Sequence, residues 1–191
     1  MRPTLVVMLK EPRPGRVKTR LGQGIGMVPA AWWFRHQTAR LLRRMQDPRW
    51  RLVLAVSPDR EGMSSRIWSS HLPRIAQGRG DLGARMARIL RGPQGPTCII
   101  GGDIPGIRPC HIAAAFRALG NHDAVFGPAS DGGYWLIGLR RGAAVPAGFL
   151  CNVRWSGPYA LSDSIATLPG ARIALVDTLR DVDTIDDLNR Q

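Results

Sequence analysis

Short, continuously apolar runs recur along the chain, separated by segments with helical spacing, and this alternation limits the fold more than any other feature. Thr4-Leu5-Val6-Val7-Met8-Leu9 is the first run, followed by Arg51–Ser57, Pro73–Gln77, Thr97–Gly101, Asp123–Phe126, Tyr134–Leu139 and Arg172–Val176. Runs of this length without polar alternation read as strands buried on both faces. Between them, Pro29–Met45 places Ala30, Trp33, Phe34, Leu41, Leu42 and Met45 at helical spacing, and Leu82, Met86, Ile89 and Leu90 form a second stripe. Asp81 is expected to cap that second helix. Asp59 is expected to cap a helix towards Ser70, Pro109 to open one to Leu119, and Ser156 to cap one through Leu168, while Thr184 caps a short terminal helix. Strands alternating with helices predict an α/β protein with a mostly parallel central sheet covered on both faces, a three-layer α/β/α arrangement. Its sites are expected beyond the C-terminal ends of the strands.

The chain has 191 residues, most simply one domain spanning 1–191. No apolar stretch approaches the length of a membrane helix, and the N-terminus leads straight into a strand rather than a signal peptide. Cytoplasm is therefore the expectation. Cys98, Cys110 and Cys151 have no metal-like spacing, and an odd count argues against a disulfide framework. His36, His71, His111 and His122 lack motif context.

The net charge of +13 points to a polyanionic partner: nucleic acid, a membrane surface or a phosphorylated small molecule. The arginines are spread along the whole chain without a continuous basic tract. That distribution suits a solvated surface better than a nucleic-acid stripe. The exceptions in kind are Lys10 and Lys18, the only lysines among 27 basic residues. They bracket one loop, Lys10-Glu11-Pro12-Arg13-Pro14-Gly15-Arg16-Val17-Lys18, which follows the first strand and leads into Thr19 and Arg20. Lysine is a compact charge on a flexible stem, suited to a phosphate oxygen. On this loop alone, a phosphate site and a plain solvated turn are equally good readings.

Asp103 is the sharpest single candidate. It stands just past the strand ending at Gly101, between Gly102 and Ile104-Pro105. A carboxylate there suits a divalent cation that shares its shell with substrate phosphates, and a turn cap is the alternative. Asp181 and Asp183 alternate near the C-terminus, and Asp183 can supply a second carboxylate to the same ion. Asp131-Gly132-Gly133-Tyr134 is a turn signal between two strands, and its glycines and aromatics also make a floor for a sugar or base. In Gln77-Gly78-Arg79-Gly80-Asp81-Leu82-Gly83-Ala84-Arg85, Arg85 is placed to reach a phosphate or a base.

Taken together these segments resemble a known family. They are Lys-x-Pro-x-Pro-Gly-x-Val-Lys-Thr-Arg-Leu, Gln-Gly-x-Gly-Asp-Leu-Gly-x-Arg-Met, Gly-x-Asp-x-Pro, Gly-Pro-Ala-x-Asp-Gly-Gly-Tyr, Trp-Ser and Asp-Val-Asp-Thr-x-x-Asp-Leu. In that order they resemble the bacterial DUF2064 family, also labelled as glycosyltransferases associated with radical-SAM and selenodomain proteins. The resemblance implies the nucleotide-diphospho-sugar transferase (GT-A) fold and a transferase using a nucleoside triphosphate or nucleotide-sugar donor and a small-molecule acceptor. It further implies Mg²⁺ or Mn²⁺ on Asp103 and Asp183. Phosphates would lie on Lys10, Gly15, Lys18, Thr19 and Arg20, with Asp81 and Arg85 near the nucleotide. Asp131, Gly132, Gly133, Tyr134, Trp155 and Ser156 would face the sugar or acceptor, and Lys18, Asp103 and Asp131 would be catalytic. Gly102 stands where the family usually has serine, and Gly157 where threonine is usual. Glycosyl transfer is favoured by the family label and nucleotidyl transfer by the basic loop. A non-catalytic basic module for nucleic acid or another polyanion is the rival reading. The base, sugar, acceptor and oligomeric state are not legible in the sequence.

Overall fold

In the computed structural model, residues 2–141 and 145–180 are described. A seven-stranded sheet runs through the molecule in the order β3-β2-β1-β4-β6-β5-β7. Its strands are β1 (Thr4–Lys10), β2 (Arg51–Ser57), β3 (Arg74–Ala76), β4 (Thr97–Gly101), β5 (Ala124–Pro128), β6 (Tyr134–Leu139) and β7 (Ile173–Leu175). β1 pairs in parallel with β2 and β4, β2 with β3, and β5 with β7. Among the described strands only β6 runs antiparallel, between β4 and β5. The predicted mostly parallel sheet is therefore found, with one reversed strand that follows a tight hairpin turn.

The helices are α1 (Thr19–Ile25), α2 (Met27–Arg44), α3 (Asp59–Ser64), α4 (Leu82–Arg91), α5 (Pro109–Ala118) and α6 (Ala160–Ala166). Alternation along β1 sorts its side chains between two cores. Leu5, Val7 and Leu9 pack with Leu41 and Leu42 of α2, Met45 just after it, and Ile112 and Ala115 of α5. Val6 packs on the other face with Met86, Ile89 and Leu90 of α4 and Ala160 of α6. Both faces are covered, as continuously apolar strands require.

Two helix boundaries differ from expectation. α3 ends at Ser64 and Asp59 is its first residue rather than its cap, which is Pro58; the Asp59 carboxylate instead accepts from Gly78 N at 3.1 Å, tying the β3–α4 loop to α3. Ser156 does not cap α6: the helix starts at Ala160, and Ser156 adopts a left-handed φ of 62°. By contrast, the Asp81 carboxylate caps α4, accepting from Ala84 N at 2.8 Å. Thr184, and with it the terminal helix, lies outside the described residues.

The structure also shows how this chain uses its arginines. Arg74 donates to the carbonyls of Gly62, Met63, Ser65 and Trp68, holding the segment between α3 and β3. Arg88 donates to Gln77 and Arg79, and Arg91 to Pro146 and Ala147. A guanidinium presents five donors in a rigid fork, so one side chain can stitch several loop carbonyls that an ammonium could not reach together.

Candidate functional site

Parallel strands bring their C-terminal ends to one edge, and because β6 is reversed, the β5–β6 turn opens on that edge too. A cleft of about 700 Å³ lies there. Lys10, Lys18, Thr19, Arg20, Asp81, Arg85, Asp103, Asp131, Gly133, Tyr134, Trp155 and Ser156 all line it. Residues from five separate loops are thus gathered as the sequence suggested. Gly15 and Gly132 do not line the cleft. Gly15 supplies the left-handed turn of the loop at φ 73°. Gly132, at φ 87°, is packed against the Pro158 backbone, where a Cβ has no room, and its carbonyl accepts from Leu161 N at 3.1 Å. Asp183, the second implied metal ligand, lies outside the described residues.

The loop from β1 to α1 is anchored from below. Val17 is buried against Ala31 and Phe34 of α2. Immediately after it, Lys18 takes a left-handed conformation, φ 47° and ψ 46°, which costs a non-glycine residue on the order of 1 kcal/mol. The conformation sends the Lys18 side chain inward, where it is only 5% exposed, and sets its Nζ 2.9 Å from Asp103 Oδ2. On the outer side of the loop, Glu61 of α3 draws Arg13 and Arg16, at 3.2 and 3.8 Å. Glu61 Oε2 has no aligned hydrogen bond, so these are ion contacts rather than directed bonds. α1 has only seven residues, so the charged side chains, not its dipole, carry the electrostatics of this wall.

Asp103 sits on a backbone that approaches β1 closely. A Cβ on Gly102 would collide with the tip of Leu9, and the Gly102 carbonyl accepts from Thr38 Oγ1 of α2 at 3.3 Å. The Asp103 carboxylate remains 36% exposed to the cleft. Its oxygen donors suit a hard cation that completes its shell with phosphates and water. Among the described residues no group of three or more His, Cys, Asp or Glu side chains forms a ready-made metal cage.

The opposite wall is built differently. Asp131 Oδ1 accepts from Gly133 N at 2.9 Å, closing the turn that the Asp-Gly pair predicts. The Tyr134 phenol accepts from Ser164 Oγ at 3.2 Å, and burial raises its pKa well above the usual phenol value. Trp155 stacks edgewise on Tyr134 and packs against Gly83 at the start of α4. Arg154 binds Asp163 of α6 through its Nε, Nη2 and backbone N–H. Its guanidinium holds the Asp163 carboxyl down to about 2. These contacts fix the segment that presents Trp155 and Ser156. Trp135 lines the cleft but is buried, and its indole donates to Asp177 O at 2.8 Å.

Two contributors escaped the sequence reading. Gln77 is 4% exposed, and its amide nitrogen donates to Leu9 O at 3.1 Å and Ala55 O at 2.9 Å, joining the ends of β1 and β2 beneath the cleft. Its place after a short strand beside Gly78 was the only local signal. Arg16 lines the cleft from within the loop already singled out.

A reversed strand in an otherwise parallel sheet gives the GT-A-like fold of nucleotide-diphospho-sugar transferases. A family described as uncharacterized proteins conserved in bacteria (DUF2064) matches residues 40–157, and the chain belongs to that family. A protein of Desulfovibrio desulfuricans G20, provisionally assigned as a nucleotide-diphospho-sugar transferase, is 28% identical. The match covers 98% of this chain and 85% of that one, with a TM-score of 0.85. Two more distant structures share the fold. Rv0371c of Mycobacterium tuberculosis H37Rv, solved in complex with manganese, is 16% identical over 100% of this chain and 97% of that one, with a TM-score of 0.56. CMP:2-keto-3-deoxy-manno-octonic acid synthetase, complexed with CTP, is 10% identical over 100% and 96%, with a TM-score of 0.57. No curated protein matches the chain.

Proposed function

We propose that this protein is a divalent-metal-dependent transferase that takes a nucleoside triphosphate or nucleotide-sugar donor and passes a group to a small-molecule acceptor. The observation that carries the proposal is the approach of the Lys18 ammonium to Asp103 at 2.9 Å, at the mouth of a cleft that also holds Lys10 and Arg20. A cation in the loop after β1 and a carboxylate just past the neighbouring parallel β4 are what a metal–polyphosphate needs: positive charge for the phosphate oxygens and a hard oxygen ligand for the ion. In this reading Lys10, Lys18, Thr19 and Arg20 bind phosphates, while Asp103, with Asp183, holds Mg²⁺ or Mn²⁺. Arg85 lies towards the nucleotide. Asp81 serves the nucleotide side by capping α4. Asp131, Tyr134, Trp155 and Ser156 face the sugar or acceptor. A divalent ion held by Asp103 and Asp183 would supply positive charge against the charge that develops on the phosphates. In nucleotidyl transfer, an acceptor oxygen attacks the α-phosphorus and pyrophosphate leaves. In glycosyl transfer, the acceptor attacks the anomeric carbon and the nucleoside diphosphate leaves.

The manganese complex of Rv0371c and the CTP complex of the synthetase belong to proteins of the same fold and support a donor of this class. The rival binding module for polyanions is disfavoured by how the arginines are used. Arg74, Arg88 and Arg91 hold loop carbonyls, and Arg49 and Arg154 are paired with Asp47 and Asp163.

The test is a thermal-shift series of nucleoside triphosphates and nucleotide-sugars, with and without Mn²⁺, on the native protein and Asp103→Ala. A ligand at about a hundred times its Kd adds roughly 2.7 kcal/mol of apparent stability. A metal-dependent shift lost in Asp103→Ala supports the transferase site, and release of pyrophosphate or of nucleoside diphosphate then decides the chemistry. Absence of a shift with every nucleotide rejects the proposal.

A further inference from the structure

The contact that carries the functional reading also constrains which ligands the cleft accepts. The Lys18 side chain is 95% buried by its surroundings, and its ammonium lies against the same carboxylate oxygen, Asp103 Oδ2, that an incoming cation would seek. The ammonium is held there by a left-handed backbone that Val17 anchors beneath α2. Each partner of this pair therefore occupies the other's ligand position.

We propose that the Lys18–Asp103 pair is a specificity device that makes the cleft select a metal-complexed diphosphate over either free metal or free diphosphate. The inference rests on the reading of Asp103 as metal ligand and Lys18 as phosphate ligand. A free cation at Asp103 must displace Lys18 or stand beside a like charge in a partly desolvated site. A free diphosphate that draws Lys18 away leaves the Asp103 carboxylate facing further negative charge. A metal–diphosphate brings a cation for Asp103 and an anion for Lys18 together, so both half-sites are satisfied in one event. The flexible four-carbon stem of lysine permits that exchange without moving the buried loop anchor.

The experiment measures direct binding, by calorimetry, of three probes: Mn²⁺ alone, inorganic pyrophosphate with a chelator, and equimolar Mn²⁺ with pyrophosphate. The proteins are the native chain, Lys18→Met and Asp103→Asn. Arg13→Met and Glu61→Gln serve as controls, since each removes one charge of the same sign from the outer side of the same loop without touching the pair or the cleft lining. Lys18→Met is expected to bind Mn²⁺ alone about tenfold tighter than the native chain, and Asp103→Asn to bind free pyrophosphate about tenfold tighter, a typical coupling between sites. Both are expected to bind the Mn²⁺–pyrophosphate complex more weakly than the native chain. If each variant merely matches its charge control, or binds its free probe no better than the native chain, the pair is not a selector and the proposal is overturned. Failure of the native chain to bind Mn²⁺–pyrophosphate counts instead against the underlying site, because the two free-probe comparisons read the pair separately.

Discussion

Leu9 fills the space that a side chain on Gly102 would need. The tip of Leu9 lies where a Cβ at 102 would stand, at the point where β1 and β4 deliver Lys18 and Asp103 to the cleft. A side chain at 102, such as the serine that the resemblance to the family implies, requires the Leu9 tip to shift. Gly102→Ser is expected to cost about 1–3 kcal/mol, as overpacking of a tight core does. Leu9→Ala opens a cavity and is expected to cost about 2–5 kcal/mol. The double variant should lose clearly less than the sum, because each change relieves the other. Urea denaturation of the four proteins measures this, and strict additivity would show that the two positions do not compete for space.

Gln77 joins β1 to β2 through two carbonyls in a buried site. Gln77→Leu keeps the volume and removes both donors. The expected loss is about 2 kcal/mol, from buried acceptors left without this partner. It appears as a lower denaturation midpoint with an unchanged slope.

Asp163 makes the Trp155–Ser156 segment sensitive to acid. Hydrogen bonds from the Arg154 side chain, then from its backbone N–H, hold the Asp163 pKa at about 2. An unfolded aspartate titrates near about 3.9. A depressed folded pKa means that the contribution is present above about pH 4 and is lost as pH falls through about 2. Asp163→Asn lacks this titration. In acid unfolding followed by tryptophan fluorescence, the native chain should lose a component between those two pH values that the variant does not show. Identical profiles would remove Asp163 from the acid response.

Gly157 lies on the cleft wall with open space around it, so a Cβ there meets nothing within 4 Å. Gly157→Thr, the residue that the resemblance to the family implies there, is expected to change stability by less than about 0.5 kcal/mol. Its effect should appear in ligand binding, as a changed thermal shift with the best donor or acceptor. A large loss of stability would contradict the open wall.

The alternation of short apolar runs with helical stripes carried the architecture, because burial on both faces of a strand leaves a local pattern that no distant residue has to complete. For the same reason Asp81 as a cap and Asp131-Gly132 as a turn were legible: each acts on backbone a few residues away. The unusual retention of lysine at 10 and 18, and the carboxylate after a strand at 103, pointed to loops that line the cleft. What lay beyond the sequence was the meeting of groups far apart in the chain. Lys18 reaches Asp103 only because β1 and β4 are paired and Val17 is buried under α2. Ser156 lost its expected capping role because the Arg154–Asp163 contacts and the left-handed backbone at 156 delay the start of α6. Gln77 gained its role from two strand ends that no spacing predicts. Periodicity is a property of neighbours in sequence. The charge pairing and the shape of the cleft are properties of neighbours in space, and only the packed sheet decided them.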